Sequence, residues 1–369
     1  MSNLLPCLNI GGLKISLPII QGGMGIMVSG MRLASAVSNV GALGVLASVG
    51  LGEASNYEGM SVAERSALGL RDMIRKTRAA TPNPIAVNIM CAVTNYTSLV
   101  KVAVEESVDV IISGAGLPLK LPSLVNSLET KLIPIVSSPR AAHLICKVWS
   151  SKYARLPDAL IVEGPLAGGH LGFSMDDVLS PPTSNLEKLV VDVIGTLSEF
   201  EKKNNCKIPV IAAGGIFDGK DIARFLKLGA SGVQMGSRFV CTNECDASSA
   251  FKNEYVKATP EDIALIKSPV KMPLRVIRNA FVEKIQNGAS ANFECRYHCL
   301  RTCEPDKTPY CIAKALFNAQ CGNFDFGIIP CGANAHRIDK IMPVRLLIDE
   351  LTRETECALI EESLLTKIS

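Results

Sequence analysis

Apolar residues in this chain fall in short, nearly unbroken runs. Most runs are followed by a longer stretch in which apolar positions recur every three or four residues. Residues 18–21, 42–47, 84–89, 109–114, 133–137, 158–163, 208–213 and 232–235 read as strands. Continuous apolarity, as opposed to alternation, marks parallel strands buried on both faces. The helical pattern occupies 32–39, 62–78, 96–106, 141–150, 186–203 and 218–228. Such alternation predicts parallel pairing through helical crossovers. Eight strands predict an α/β fold of the (β/α)8 TIM-barrel type, with an open doubly wound sheet as the alternative of equal count.

The pattern changes after Arg238. Residues 240–315 carry no convincing strand and hold many cysteines, so a mainly helical, Cys-rich insertion or lid is expected after the eighth strand. Residues 343–356 read as an amphipathic helix that closes the barrel. The expected division is therefore a barrel over 1–239, an insertion over 240–315, and a return segment with the closing helix over 316–369. No repeat or low-complexity linker marks a second independent domain.

Composition agrees with this architecture. The 369 residues are 48% hydrophobic and 20% charged, with a mean hydropathy of +0.26. That supplies a large core and too few charges for a disordered chain. The length suits a barrel of about 250 residues plus an insertion. The net charge of +3 is spread along the chain with no basic stripe, which argues against nucleic acid as a partner. No apolar stretch reaches the roughly 18 residues of a membrane span, and the first residues lack a signal-peptide pattern. A cytoplasmic protein with no membrane partner is expected. Thirteen cysteines in such a setting point away from a disulfide framework.

The glycines cluster just past strand ends, at Gly22-Gly23, Gly114 and Gly116, Gly164, Gly214-Gly215 and Gly236. Tight βα turns favour glycine for their own sake. So many at the carboxyl ends, which form the active face of a barrel, point to a bound cofactor. The runs Ala213-Gly214-Gly215-Ile216 and Gln234-Met235-Gly236-Ser237-Arg238 follow strands seven and eight, where barrels commonly cradle a phosphate. Placement implies a phosphate-bearing cofactor without naming it. Only four histidines occur, and His170 lies in the glycine-rich run Glu163-Gly164-Pro165-Leu166-Ala167-Gly168-Gly169-His170 beyond strand six. An imidazole there is a candidate acid, base or substrate anchor.

At these residues the chain resembles the nitronate monooxygenase family and its relatives, the FMN-dependent enoyl-acyl-carrier-protein reductases. The segments Pro18-Ile19-Ile20-Gln21-Gly22-Gly23-Met24-Gly25 and Val87-Asn88-Ile89, the Glu163–His170 loop, and Ala212–Ile216 with Gln234–Ser237 carry the likeness. The resemblance implies a (β/α)8 barrel with non-covalent FMN. Gly22, Gly23 and Met24 would line the flavin, Asn88 would bond near it, and Gly168, beside Gly169, would pack on it. Gly215, with Gly214 before it, and Gln234, Met235, Gly236 and Ser237 would hold the phosphate, and His170 matches the family's active-site histidine. Glu163 stands where many monooxygenases have glutamine and the reductases often have glutamate. Typical members of either group lack the cysteine-rich insertion.

Cys295, Cys299, Cys303 and Cys311 form a C-x3-C-x3-C-x7-C array. Were the segment helical, the first three would share one stripe. Four thiolates suffice for zinc or a [4Fe–4S] cluster, and ordinary unligated thiols are the plain alternative. The leading expectation is an FMN oxidoreductase that oxidises alkyl nitronates with O2. The alternative is an enoyl-thioester reductase using NAD(P)H or an electron-transfer protein, with electrons relayed through an iron–sulfur cluster. A third reading is a flavin-binding subunit of a larger redox complex.

Overall fold

The computed structural model describes residues 5–52, 59–179, 185–291, 293–295 and 298–365. Eight parallel strands stand where the apolar runs predict them: β1 (Ile19–Gln21), β2 (Gly44–Ala47), β3 (Ile85–Met90), β4 (Val110–Gly114), β5 (Lys131–Val136), β6 (Leu160–Glu163), β7 (Val210–Ala213) and β8 (Gly232–Met235). They pair in the order β1-β8-β7-β6-β5-β4-β3-β2. The ends of that order meet. Gln21 N donates to Leu43 O and Leu43 N to Ile19 O, both at 3.0 Å, so the sheet closes into a barrel. An open doubly wound sheet is thereby excluded.

Two-residue alternation sorts the apolar side chains into two layers. Ile20, Val45, Ile112, Ile133, Ile161 and Ile211 fill the barrel interior. Their neighbours Ile19, Leu46, Ile111, Leu132, Leu160 and Val210 face the surrounding helices. Those helices are α1 (Met31–Asn39), α2 (Val62–Ala80), α3 (Tyr96–Glu105), α4 (Pro139–Tyr153), α5 (Leu186–Asn204) and α6 (Gly219–Lys227). Several have explicit starts. Ser61 and Glu64 form a capping box on α2, and the Asp218 carboxylate caps α6.

An antiparallel hairpin of Leu8–Ile10 and Leu13–Ile15 precedes the barrel. The apolar pattern had not distinguished it. Leu8, Ile10 and Ile15 pack with the interior residues and close the amino-terminal end of the barrel.

After β8 the chain builds a cap from α7 (Ser237–Val240), α8 (Ser249–Lys257), β9 (Ile263–Lys267), β10 (Pro273–Ile277), α9 (Ala280–Gln286), α10 (Ile312–Gln320) and β11 (Ile329–Pro330). The hairpin β9–β10 corrects the expectation of no strand over 240–315. Burial along β9 alternates, as in a half-covered antiparallel strand, and no glycine follows its end as one does after most barrel strands. Strand β10 pairs with β9, with β11, and with the two-residue strand Gly169–His170 of the barrel. The closing helix α11 (Val344–Leu365) then packs on α6, where Gly219 N donates to the Glu354 carboxylate at 2.9 Å. No helix among the described residues is long and apolar enough to cross a membrane.

The hairpin plug is testable. Leu8 is fully buried, so Leu8→Ala should cost about 2–5 kcal/mol in denaturant unfolding, the usual range for a buried leucine. Ligand binding at the opposite end should persist. Unchanged stability would show that the plug is dispensable.

Candidate active site

The upper end of the barrel opens into a cavity of about 840 Å³, large within the roughly 300–1,000 Å³ usual for small-molecule sites. His170 lines it, as do Gly22, Gly23, Met24, Asn88, Glu163, Gly168, Gly169, Gly214, Gly215, Gln234, Met235, Gly236 and Ser237. Every residue named from the sequence as catalytic or cofactor-binding thus reaches one space. Of the four arrayed cysteines, Cys299 reaches it.

The floor is polar because of strand register. Glu163, Ala213 and Gln234 stand side by side across β6, β7 and β8. Ala213 belongs to the interior layer, so its two neighbours point the same way, and Asn88, two on from interior Ala86, does likewise. The small Ala213 leaves space between the two longer side chains. Gln234 Oε1 is buried without a hydrogen-bond partner. Such an orphan is rare in a finished interior and marks a place where a ligand donor would sit. Glu163 borders the cavity but is otherwise walled in by protein, and burial pushes its carboxyl up to about 7.

The loop after β1 is pinned from below by two residues that sequence reasoning missed. The Gln21 amide donates to Ser29 Oγ at 2.7 Å and accepts from Val45 N at 2.9 Å, while Ser29 Oγ accepts from Met24 N at 2.9 Å. Gln21 looked like the last residue of a strand, and nothing local marked Ser29. A Cβ on Gly23 would run into Asn88, so glycine is required where this loop crosses the β3 end.

The loops after β7 and β8 form a cradle. Gly215 has φ +83°, and a Cβ there would come within 2.9 Å of Leu166. The backbone N–H groups of Gly215, Ile216, Ser237 and Arg238 engage no other described residue. Asn334 Nδ2 donates to Gly215 O at 2.6 Å, and Gly332 N donates to Ser237 Oγ at 2.9 Å. Phe217 lies between two guanidinium groups, Arg337 at 4.1 Å and Arg238 at 4.5 Å from its ring centre. Both arginines are ion-paired, Arg238 with Glu350 at 2.6 Å and Arg337 with Asp218 at 2.8 Å, so the unengaged backbone donors are what this corner of the cavity offers a ligand.

The Glu163–His170 loop is held by the cap. Leu171 N donates to Pro273 O at 2.9 Å. Arg275 Nη1 donates to Pro165 O at 2.8 Å and also to Ala167 O. His170 Nε2 lies 2.7 Å from Ser268 Oγ. Burial pushes the His170 ring down to about 4, so it is neutral near pH 7. Ser268 and Arg275 lie about a hundred positions from the loop they hold, and no local signal announces them.

The cysteine array does not form the expected stripe. Residues 293–295 and 298–303 are not helical. Instead the segment lies against the loop after β3: Thr94 N donates to Cys299 O at 3.1 Å and Arg301 N to Ala92 O at 2.9 Å. These bonds take backbone groups that a helix would need. Cys311 precedes α10 as its N-cap. Burial, followed by the proximity of Cys311, Cys303 and Cys295, pushes the Cys299 thiol up to about 12. The four thiols are near one another, yet among the described residues no group of three or more His, Cys, Asp or Glu side chains is arranged to hold a metal ion.

Comparison with known proteins places this geometry. The sequence description of the nitronate monooxygenase family matches residues 8–354. The chain belongs to the nitronate monooxygenase family. It is 32% identical, over 74% of its length, to the Mycobacterium tuberculosis (3aS,4S,5R,7aS)-5-hydroxy-7a-methyl-1-oxo-octahydro-1H-indene-4-carboxyl-CoA dehydrogenase, and covers 66% of that protein, just under two thirds. A probable nitronate monooxygenase of Staphylococcus aureus is 27% identical over 74% of this chain and 78% of its own. Among solved structures, FabK from Thermotoga maritima superposes with a TM-score of 0.73 at 31% identity, covering 94% of both chains. In this member of the family the cavity lies at the carboxyl ends of the barrel strands.

Glu163 gives a pH prediction. The unfolded chain loses this proton near the ordinary value of 4.5, while the folded protein keeps it to about 7. Between those values the folded state binds more protons, so this residue makes stability fall as pH rises. Glu163→Gln should match wild type near pH 4 and be more stable by about 1–3 kcal/mol near pH 8 in ligand-free protein, after discounting for partial exposure. A gap that does not change with pH would show that the carboxyl ionises normally.

Proposed function

We propose that this family member is an FMN-dependent oxidoreductase acting on small anionic or enolisable substrates, with alkyl nitronates as the leading class. The observation that carries the reading is the pairing, in one cavity, of a corner of unengaged backbone donors with a polar floor under His170. A flavin mononucleotide fits both ends. Its phosphate would meet the N–H groups of Gly215, Ile216, Ser237 and Arg238. A ring N–H donor would satisfy the orphaned Gln234 Oε1. When bound, FMN supplies one- and two-electron redox chemistry.

The chain's own groups do the rest. His170, neutral and held from the cap, orients the substrate oxygen atoms over the floor. Glu163, with its carboxyl pushed up to about 7, is protonated below that pH and there adds no like charge beneath an anionic substrate. Apolar residues of the cap and adjoining loops, among them Leu274, Leu300 and Leu316, wall the cavity and exclude water.

A second reading is favoured by the 31% identity to FabK over nearly the whole chain and by the acyl-CoA in the M. tuberculosis relative's name. It is reduction of an enoyl thioester, in which His170 would orient the thioester carbonyl. Electron input through an iron–sulfur cluster gains no support from the cysteine geometry.

Purified protein should absorb as a flavoprotein and release FMN on denaturation, and protein that cannot be reconstituted with FMN would overturn the proposal. Gly215→Asp should abolish flavin binding, since the new side chain meets Leu166 and sets a carboxylate where the phosphate would sit. His170→Ala should keep FMN and thermal stability while turnover falls about 10²-fold or more, the scale for a positioned polar group. A side-by-side assay of nitronate with O2 and enoyl thioester with NADH separates the two readings.

A further inference from the structure

The hydroxyl of Ser268 has few partners. The residue is 3% exposed and sits in the turn between β9 and β10, where Ser268 N donates to Met272 O at 2.9 Å and Lys271 N to Ser268 O at 2.8 Å. Its Oγ accepts from Val270 N at 3.4 Å and lies 2.7 Å from His170 Nε2. A buried hydroxyl needs an acceptor for its proton. Among the described residues, His170 Nε2 is the acceptor within reach. If Nε2 instead carried the ring proton, the Ser268 hydroxyl would have none.

We infer that Ser268 is a positioning residue that fixes the ring proton of His170 on Nδ1, so that His170 meets substrate as a hydrogen-bond donor and not as a base. The other nitrogen is placed for that task. Nδ1 has no partner among the described residues, and it is not one of the buried polar atoms left without one. With His170 on the cavity wall, Nδ1 opens into the cavity. The backbone keeps it there: His170 pairs with Leu274 and Gly169 with Arg275, while Arg275 holds the carbonyls upstream. A ring with a proton already on its cavity-facing nitrogen cannot take another there while staying neutral. It suits a substrate that arrives as an anion with a charged oxygen, such as a nitronate. It does not suit a neutral nitroalkane, whose α-proton must first be removed. This statement about substrate rests on the oxidoreductase reading above, whereas the proton assignment does not.

Nitrogen-15 NMR of histidine-labelled protein tests the assignment directly. The chain has four histidines, and the signal lost in His170→Gln identifies the relevant ring. Wild type should show Nδ1 protonated and Nε2 bare by roughly tenfold or more, since the reverse strands a buried hydroxyl. Ser268→Ala should erase that preference, keep bound flavin, and lower nitronate turnover about tenfold. Ser268→Thr, which keeps the hydroxyl, should restore both. A proton on Nε2 in wild type, or a preference unchanged in Ser268→Ala, overturns the inference. If Ser268→Ala does not fold, the wild-type spectrum still decides. Neutral nitroalkane turned over as fast as nitronate would show that His170 does act as a base. Protein with the proton on Nδ1 and no activity on nitronates would uphold the assignment and overturn the substrate reading.

Discussion

A guanidinium with 5% exposure, held by backbone carbonyls, joins the two parts of this molecule. Arg275 comes from the cap and binds Pro165 and Ala167 of the barrel loop. Burying a cation is costly unless its donors are satisfied. Here two carbonyl oxygens of one loop accept from a single nitrogen, Nη1. Burial in turn lowers its proton affinity. The loop geometry, the pairing of Gly169–His170 with β10 and the bond from Ser268 all depend on this anchor. Cap and barrel both line the cavity, the cap contributing Ser237 and Arg238 beside the barrel's glycines.

The barrel was legible because its signals are local. Continuous apolar runs such as Val110–Gly114 report burial on both faces within five residues, and glycines past their ends mark the open face. Gly22, Gly214, Gly215 and Gly236 could be read as a site before any distance was known. The cap strands were not legible. Alternation in β9 lies in its burial and not in its sequence, and that burial arises only when β10 lies beside it. Gln21, Ser29, Ser268 and Arg275 escaped for a related reason: each acts through a partner that sequence order does not reveal. The cysteine array shows the converse. Regular spacing suggested a helical stripe, but hydrogen bonds to Ala92 and Thr94 from another segment set the backbone instead.

The electrostatics of the site are also a product of packing. Neither Glu163 nor His170 has a countercharge that explains its shift; burial alone moves the first up and the second down. Both changes favour the uncharged form. The Phe217 arginines are ion-paired, Arg238 with Glu350 and Arg337 with Asp218, so the donor character of that corner of the cavity comes from its unengaged N–H groups. Burial thus moves two residues of opposite ionisation type in the same sense, toward the uncharged form.

The position of the cap in the chain bears on how the protein folds. The helix that packs on α6 and contacts α1, and so seals the last barrel unit to the first, begins only at Val344, about a hundred residues beyond β8. During synthesis all eight strands emerge before their closing helix does. The barrel then exists for a time with an uncovered apolar flank, while the intervening cap must itself condense onto the loop after β6. Contacts of such wide sequence separation carry a loop-closure cost and slow the final step. Ordering of the active face and sealing of the barrel wall thus become late, mutually dependent events, and a chain stalled before residue 344 would expose the surface most prone to self-association.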